Sequence, residues 1–152
     1  MTDDRKAHPM PGHSAHRTGY LPPTGNVVAA GDFLTDGTRA VLRITRCRDC
    51  GSAWFPARTQ CSTCASRNVV AELTPDTGTV YASTVVQIAP PGFQAPYVLS
   101  YTDIGDVRAL THASTDAALP PGTAVQVRLT TIGADYNGPV LSYGVAPIGD
   151  QS

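Results

Sequence analysis

The chain has 152 residues, of which 15% are charged, and its formal net charge is −1. This length suits one domain, or one domain with a small appended module. The 14 glycines and 13 prolines are more typical of a loop-rich β protein than of a helical bundle. No apolar run reaches the roughly 18 residues that a membrane span needs, and the near-neutral charge argues against an extensive nucleic-acid interface. Because no apolar core follows the first charged residues, we expect no secretory signal and a soluble, cytoplasmic protein.

The N-terminal part contains little regular structure. Residues 1–26 are rich in His, Pro and Gly and show no periodicity, which predicts a disordered tail. Residues 27–46 are interpreted as a short connecting segment, with one helical turn near Asp32–Leu34 followed by a strand from Arg39. The histidines of the tail are interpreted as solvated side chains: His8, His13 and His16.

All four cysteines lie in the stretch CRDCGSAWFPARTQCSTC, as two CxxC pairs: Cys47 with Cys50, and Cys61 with Cys64. Two residues between cysteines form a tight knuckle that points both thiolates at one cation, and two knuckles complete a tetrahedral site. The motif contains no His, carboxylate or spare cysteine. We therefore predict a zinc ribbon over residues 47–75, with a closed, structural Zn²⁺ site that does not activate water.

Other interpretations of the cysteines explain less of the pattern. A redox CxxC pair or a disulfide accounts for one pair but not for two in register, and disulfides are rare in a reducing cytosol. Iron remains a chemical alternative, since four thiolates accept either metal. Gly51 follows the first pair, where a residue without Cβ turns easily. Ala65 follows the second pair, and a left-handed backbone there would cost about 1 kcal/mol.

Residues 76–149 show strand patterns separated by turn residues such as Gly105-Asp106. The five predicted strands are Gly78–Ala89, Tyr97–Ile104, Val107–Ala113, Thr123–Ile132 and Pro139–Pro147. Alternation places these side chains of the first strand on one face: Val80, Ala82, Val86 and Ile88. In the fourth strand it predicts that Val125, Val127 and Leu129 point inward. Five short strands favour a closed OB-fold barrel, with a five-stranded sandwich as the alternative. The predicted fold is thus mainly β, with an N-terminal zinc ribbon followed by a five-stranded OB-fold barrel.

Three segments in this order resemble the DUF35 family: RCRDCGSAWFPARTQCSTC, GTVYASTVVQIAPPGFQAPYVLSYTDI and LPPGTAVQVRL. The resemblance extends from about Phe33 to Pro147. It implies a rubredoxin-like zinc ribbon fused to an OB-fold and an association with acyl-CoA metabolism. It also implies a non-catalytic accessory subunit of a thiolase- or ketosynthase-like acyltransferase or aldolase complex, a hetero-oligomer that binds acyl-CoA or an acyl-thioester. The family usually opens with a helical segment, which FLTDGTRAVL shortens here.

No residue of the chain is assigned a catalytic role, because the thiols are committed to metal and no triad spacing is evident. His112 is interpreted as an ordinary strand or rim residue, with a ligand contact as the alternative. In the stiff loop QIAPPGFQAPYVLSY, Phe93 and Tyr97 are candidate contacts to a partner or to CoA, unless Phe93 plugs the barrel and Tyr97 simply begins a strand. Arg58 is a third candidate, placed with Pro56 at the seam between ribbon and barrel.

A second functional hypothesis is a single-stranded nucleic-acid-binding OB-fold protein, since OB barrels and zinc ribbons both occur in that role. Such a protein needs a basic groove lined by stacking rings. The predicted barrel strands offer only scattered cations, Arg108 and Arg128. We therefore expect neither a nucleic-acid nor a membrane partner.

Overall fold

The computed structural model describes residues 19–149. The three tail histidines and most of the predicted disordered tail lie outside the described residues. Within them the chain forms nine strands and no helix, hence no helix able to cross a membrane. The strands are β1 (Phe33–Thr35), β2 (Ala40–Cys47), β3 (Ala53–Trp54), β4 (Val69–Leu73), β5 (Thr77–Val86), β6 (Tyr97–Ile104), β7 (Val107–Ala113), β8 (Ala124–Asp135) and β9 (Gly138–Pro147).

The ribbon is built around β2, which pairs antiparallel with β1, β3 and β4. The predicted helical turn near Asp32–Leu34 is wrong, because β1 occupies that position. The Asp36 carboxylate accepts hydrogen bonds from the backbone N–H groups of Thr38 and Arg39, which closes a tight turn between β1 and β2. The pairing buries Phe33 completely. Strand pairing therefore prevails over a single helical turn, which would make few hydrogen bonds.

The C-terminal part is a closed barrel in the order β5-β6-β7-β9-β8, with β8 pairing back to β5. Only the short contact between β7 and β9 is parallel among these pairings. This closed five-stranded arrangement is that of an OB-fold, and it confirms the predicted barrel over the sandwich. The contacts that close the barrel are short, since β5 pairs with β8 over residues 77–79 and β7 pairs with β9 at residues 112 and 113.

The barrel interior follows the alternation of the strands, with Val125 and Val127 fully buried as predicted. Leu129 is partly buried against the same core. The prediction for the first barrel strand is partly wrong. A bulge between Val80 and Ala82 shifts the register and leaves Ala82 exposed. Ile88 lies beyond the end of β5 and is 89% exposed.

Ribbon and barrel share one hydrophobic core. Phe33 of the ribbon and Phe55 of the segment after β3 both make edge-to-face contacts with Tyr143 of β9, at centroid distances of 5.8 and 5.4 Å. Arg46 on β2 binds Glu72 on β4 at 3.0 Å and reaches Asp106, in the β6–β7 turn, at 2.6 Å. Phe55 thus packs on the barrel as well as under the ribbon, and the two parts form one unit.

An N-terminal strap, residues 20–28, crosses from the ribbon to the barrel. Leu21 exchanges two backbone hydrogen bonds of 2.9 Å with Thr35 of β1. At the other end, Val28 donates its backbone N–H to Leu141 of β9 at 2.9 Å, and the Leu141 N–H donates to Asn26. The prediction of disorder is therefore wrong for residues 19–26. Backbone hydrogen bonds hold these residues in place, and the pattern of side chains in the sequence does not indicate such bonds.

Candidate functional site

The four cysteine sulfurs converge at the tip of the ribbon. All Sγ atoms lie within 4.8 Å of one another, and the Cys47–Cys64 and Cys50–Cys61 separations are both 3.6 Å. A tetrahedral zinc site with bonds of about 2.3 Å requires sulfurs about 3.8 Å apart. The spacing and the all-thiolate donor set therefore fit a structural Zn²⁺ ion, with no fifth ligand among the described residues.

The two knuckles are built alike. The N–H of Gly51 donates to the Cys47 carbonyl at 3.0 Å, and the N–H of Ala65 donates to the Cys61 carbonyl at the same distance. Both residues have left-handed backbones, with φ of 79° at Gly51 and 62° at Ala65. The alanine thus occupies a conformation that favours glycine, as its position after the second pair suggests.

Backbone and side-chain donors favour the thiolate form of the buried ligand Cys61. The backbone N–H groups of Cys64 and Thr63 and the side chain of Cys50 lower the pKa of Cys61 to about 6. Metal binding requires thiolates, so these donors favour binding near neutral pH.

A polar bridge outside the sulfurs ties the two knuckles together. Asp49, in the first knuckle, accepts hydrogen bonds from the Ser66 hydroxyl and from the Asn68 amide. These bonds lower the pKa of Asp49. Such outer contacts orient metal ligands, so the bridge fixes the position of one knuckle relative to the other.

Arg58 lies on the ribbon surface. Its guanidinium stands over the Trp54 ring, 5.2 Å from the centroid, and donates to the Ser62 hydroxyl at 2.6 Å. Arg58 and Pro56 are both exposed, so their predicted place at the ribbon–barrel seam is wrong. Phe55, next in the chain to Pro56, makes the contact with the barrel instead.

A cavity of about 670 Å³ opens beside the barrel. One wall carries three rings: the His112 imidazole stacks on Tyr97 and Phe93, with centroids 5.1 and 5.9 Å apart. Another part of the lining belongs to the end of β8 and to the first two residues of β9. The structure thus brings together Phe93 and Tyr97, two of the three candidate contacts, while the side-chain contacts of Arg58 lie within the ribbon.

The loop that carries Phe93 is attached to β8. The N–H of Ala134 donates to the Gly92 carbonyl at 3.0 Å, next to a bulge in the β8–β9 pairing between Thr131 and Gly133. A Cβ on Gly133 would overlap the carbonyl oxygen of Gly92. A residue without a side chain therefore allows the loop to approach the strand closely.

The sequence predicts His112 as an ordinary strand or rim residue, with a ligand contact as the alternative, and does not place it beside Phe93 and Tyr97. It is half-buried, and burial lowers its pKa. A signal for its position was available: pairing outward from the Gly105-Asp106 turn sets His112 opposite Leu99, two residues from Tyr97 on the same face. Counting the hairpin register therefore predicts that His112 and Tyr97 are neighbours.

The charged groups near the β6–β7 turn form ion pairs. Asp103 binds Arg108 at 2.7 Å, and the Arg108 guanidinium also stands over the Tyr81 ring at 3.4 Å. Asp106 binds Arg46. Within residues 19–149 these groups serve structural contacts, and none of them is paired with His112.

Three comparisons with known proteins agree with this architecture. Residues 36–70 match the family model described as the ChsH2 rubredoxin-like zinc ribbon domain. A DUF35 domain-containing scaffold protein of Methanocaldococcus jannaschii is 30% identical over 105 residues, which cover 65% of this chain and 74% of that protein. A solved structure titled Ltp2-ChsH2(DUF35) aldolase has a TM-score of 0.53 and 25% identity, covering 70% of this chain and 84% of the matched one. A zinc ribbon, an OB-type barrel and a relative at this similarity together show that the chain belongs to the DUF35 family.

Proposed function

We propose that the protein is a non-catalytic accessory subunit of a thiolase- or ketosynthase-like acyltransferase or aldolase, in which it supports assembly and the binding of acyl-CoA or an acyl-thioester. The observation that carries the proposal is the arrangement of the four cysteines. All of them face one another in a closed metal site, so none is free to form an acyl-enzyme. The partner must supply the nucleophile.

The names of the relatives support the accessory role. One relative is called a scaffold protein, and the similar solved structure is named as an aldolase containing a DUF35 component. The shared core and the N-terminal strap of this chain suit such a role, because a preorganised unit loses less conformational entropy on binding. We place the assembly in the cytoplasm, where a thiolate zinc site is compatible with reducing conditions.

Two arginines near the β6–β7 turn are already paired with carboxylates, which gives less support to nucleic-acid binding. Arg46 is bound by Glu72 and Asp106, and Arg108 is bound by Asp103. A single-strand binder needs cations free to follow phosphates. We therefore favour a protein partner.

The proposed contacts with the partner or its thioester are Phe93, Tyr97 and Arg58. Phe93 is 36% exposed at the mouth of the cavity, and Arg58 is exposed on the ribbon. Aromatic and arginine side chains of this kind contribute disproportionately to protein interfaces.

Co-expression with a thiolase- or ketosynthase-like enzyme of the same organism tests the proposal. We expect the two proteins to elute together, and Phe93→Ala to weaken the complex about tenfold or more. Ile148→Ala is the matched control, since Ile148 is 53% exposed and lines no part of the cavity. Full solubility and turnover of the enzyme without this chain would contradict the accessory role.

A further inference from the structure

The cavity beside the barrel has an uncharged lining. Its wall on one side is formed by Phe93, Tyr97 and His112, and on the other by small or apolar residues that include Ile132 and Pro139. No Asp, Glu, Lys or Arg among the described residues lines it. Because burial lowers the pKa of His112, the imidazole is neutral at neutral pH and adds no charge.

This lining limits the chemistry of a ligand. A nucleotide carries phosphates, which proteins hold with Arg, Lys or the backbone N–H groups of a helix N-terminus, and the cavity lining provides none of these. A volume of about 670 Å³ is within the range of sites that enclose drug-sized molecules. It is far larger than an acetyl group requires.

We propose that the cavity beside the barrel binds the uncharged acyl end of a thioester, with a bulky or extended acyl group, while the nucleotide of an acyl-CoA stays outside. The apolar side chains of Phe93, Ile132 and Pro139 contact the acyl chain. The polar groups at the cavity that have a donor available, the His112 imidazole and the Ser114 hydroxyl, offer hydrogen bonds to a thioester carbonyl. The identity of the ligand as a thioester rests on the proposed function, whereas the preference for an uncharged apolar group rests on the lining alone.

Calorimetric titration of the full chain, without a partner enzyme, tests the proposal. The probes are the octanoyl and acetyl thioesters of N-acetylcysteamine, both uncharged, and free CoA, which carries the nucleotide without an acyl group. We expect the octanoyl thioester to bind at least tenfold more tightly than either other probe, since each buried methylene is worth up to about fourfold in affinity.

Two variants fill the cavity from exposed lining positions, Thr131→Trp and Ser114→Trp. Each should weaken octanoyl binding about tenfold or more with unchanged circular dichroism. Thr84→Trp is the matched control, because Thr84 is exposed on β5 and lies outside the lining. The proposal is overturned if CoA binds as tightly as the octanoyl thioester, if the octanoyl thioester does not bind, or if only Thr84→Trp weakens binding. Binding by the isolated chain together with failure to co-purify with an enzyme would contradict the accessory role and leave the cavity assignment intact.

Discussion

At the scale of single residues, Ala65 in the second knuckle occupies a backbone conformation that glycine would adopt more easily. Ala65 has a φ of 62°, while the equivalent Gly51 has a φ of 79°. An L-residue in this region costs about 1 kcal/mol, and glycine relieves it at some cost in unfolded-state entropy. We expect Ala65→Gly to stabilise the zinc-loaded protein by about 0.5 kcal/mol and Gly51→Ala to destabilise it by about 1 kcal/mol. Thermal unfolding of the two variants measures both effects. A loss of stability in Ala65→Gly would show that the backbone of Ala65 is not strained.

Thr74 is a buried polar residue between β4 and β5, and it completes the hydrogen bonding of β2. It is 1% exposed, and its hydroxyl oxygen accepts the Leu42 N–H at 2.9 Å. Thr74→Val keeps the shape but leaves that N–H buried without a partner, which should cost about 1–3 kcal/mol.

Urea unfolding of Thr74→Val and Thr74→Ser measures this contribution. The serine variant keeps the acceptor, so it should lose less stability than the valine variant. The reverse order would show that the methyl group of Thr74, rather than its hydroxyl, matters at this position.

At the scale of elements, the loop that carries Phe93 depends on one glycine of β8. A Cβ on Gly133 would overlap the backbone oxygen of Gly92 and break its hydrogen bond with Ala134. We expect Gly133→Ala to destabilise the protein by about 1–3 kcal/mol and to weaken octanoyl binding, because Phe93 moves with the loop.

The control for this change is Gly31→Ala. A methyl group added at Gly31 would have no neighbouring atom within 4 Å, and the residue has no left-handed φ. The substitution should therefore be nearly neutral in thermal unfolding and in binding. Equal effects of the two substitutions would show that the loop does not depend on close contact with β8.

The elements differ in how far the sequence predicts them. Strands β6 and β7 and the inward side chains Val125 and Val127 follow from alternation, because a half-buried strand has a period of two. The two knuckles follow from cysteine spacing. In contrast, the strap at residues 20–28 is held by backbone pairing with β1 and with the distant strand β9, and no local pattern encodes such a partner. Strand β1 pairs with its neighbour β2 across a tight turn, but its three residues are too few to show alternation. The prediction for Ala82 is wrong because the bulge depends on the register with β6, which the residues of β5 alone do not specify.

The candidate site shows the same division. The zinc ligands lie within 18 residues of one another and are evident from the motif. The cavity combines residues from β6, β7, β8, β9 and two loops, so it exists only after the barrel closes. Phe93 and Tyr97 are identifiable from their loop, whereas the role of His112 requires the hairpin register.

At the scale of the whole molecule, the zinc site should stabilise the barrel as well as the ribbon. Phe33 and Leu42 of the ribbon lie in the same core cluster as Val127 of the barrel, so loss of the metal exposes one side of a shared core. Removing zinc with a chelator, or by Cys61→Ser, should lower the unfolding midpoint of the barrel by about 10 °C or more.

Trp54, the single tryptophan, reports the ribbon by fluorescence, and far-ultraviolet circular dichroism reports the barrel strands. We expect the two signals to change together in the metal-free protein. A barrel transition at its original temperature after the ribbon has melted would show that the two parts are energetically independent.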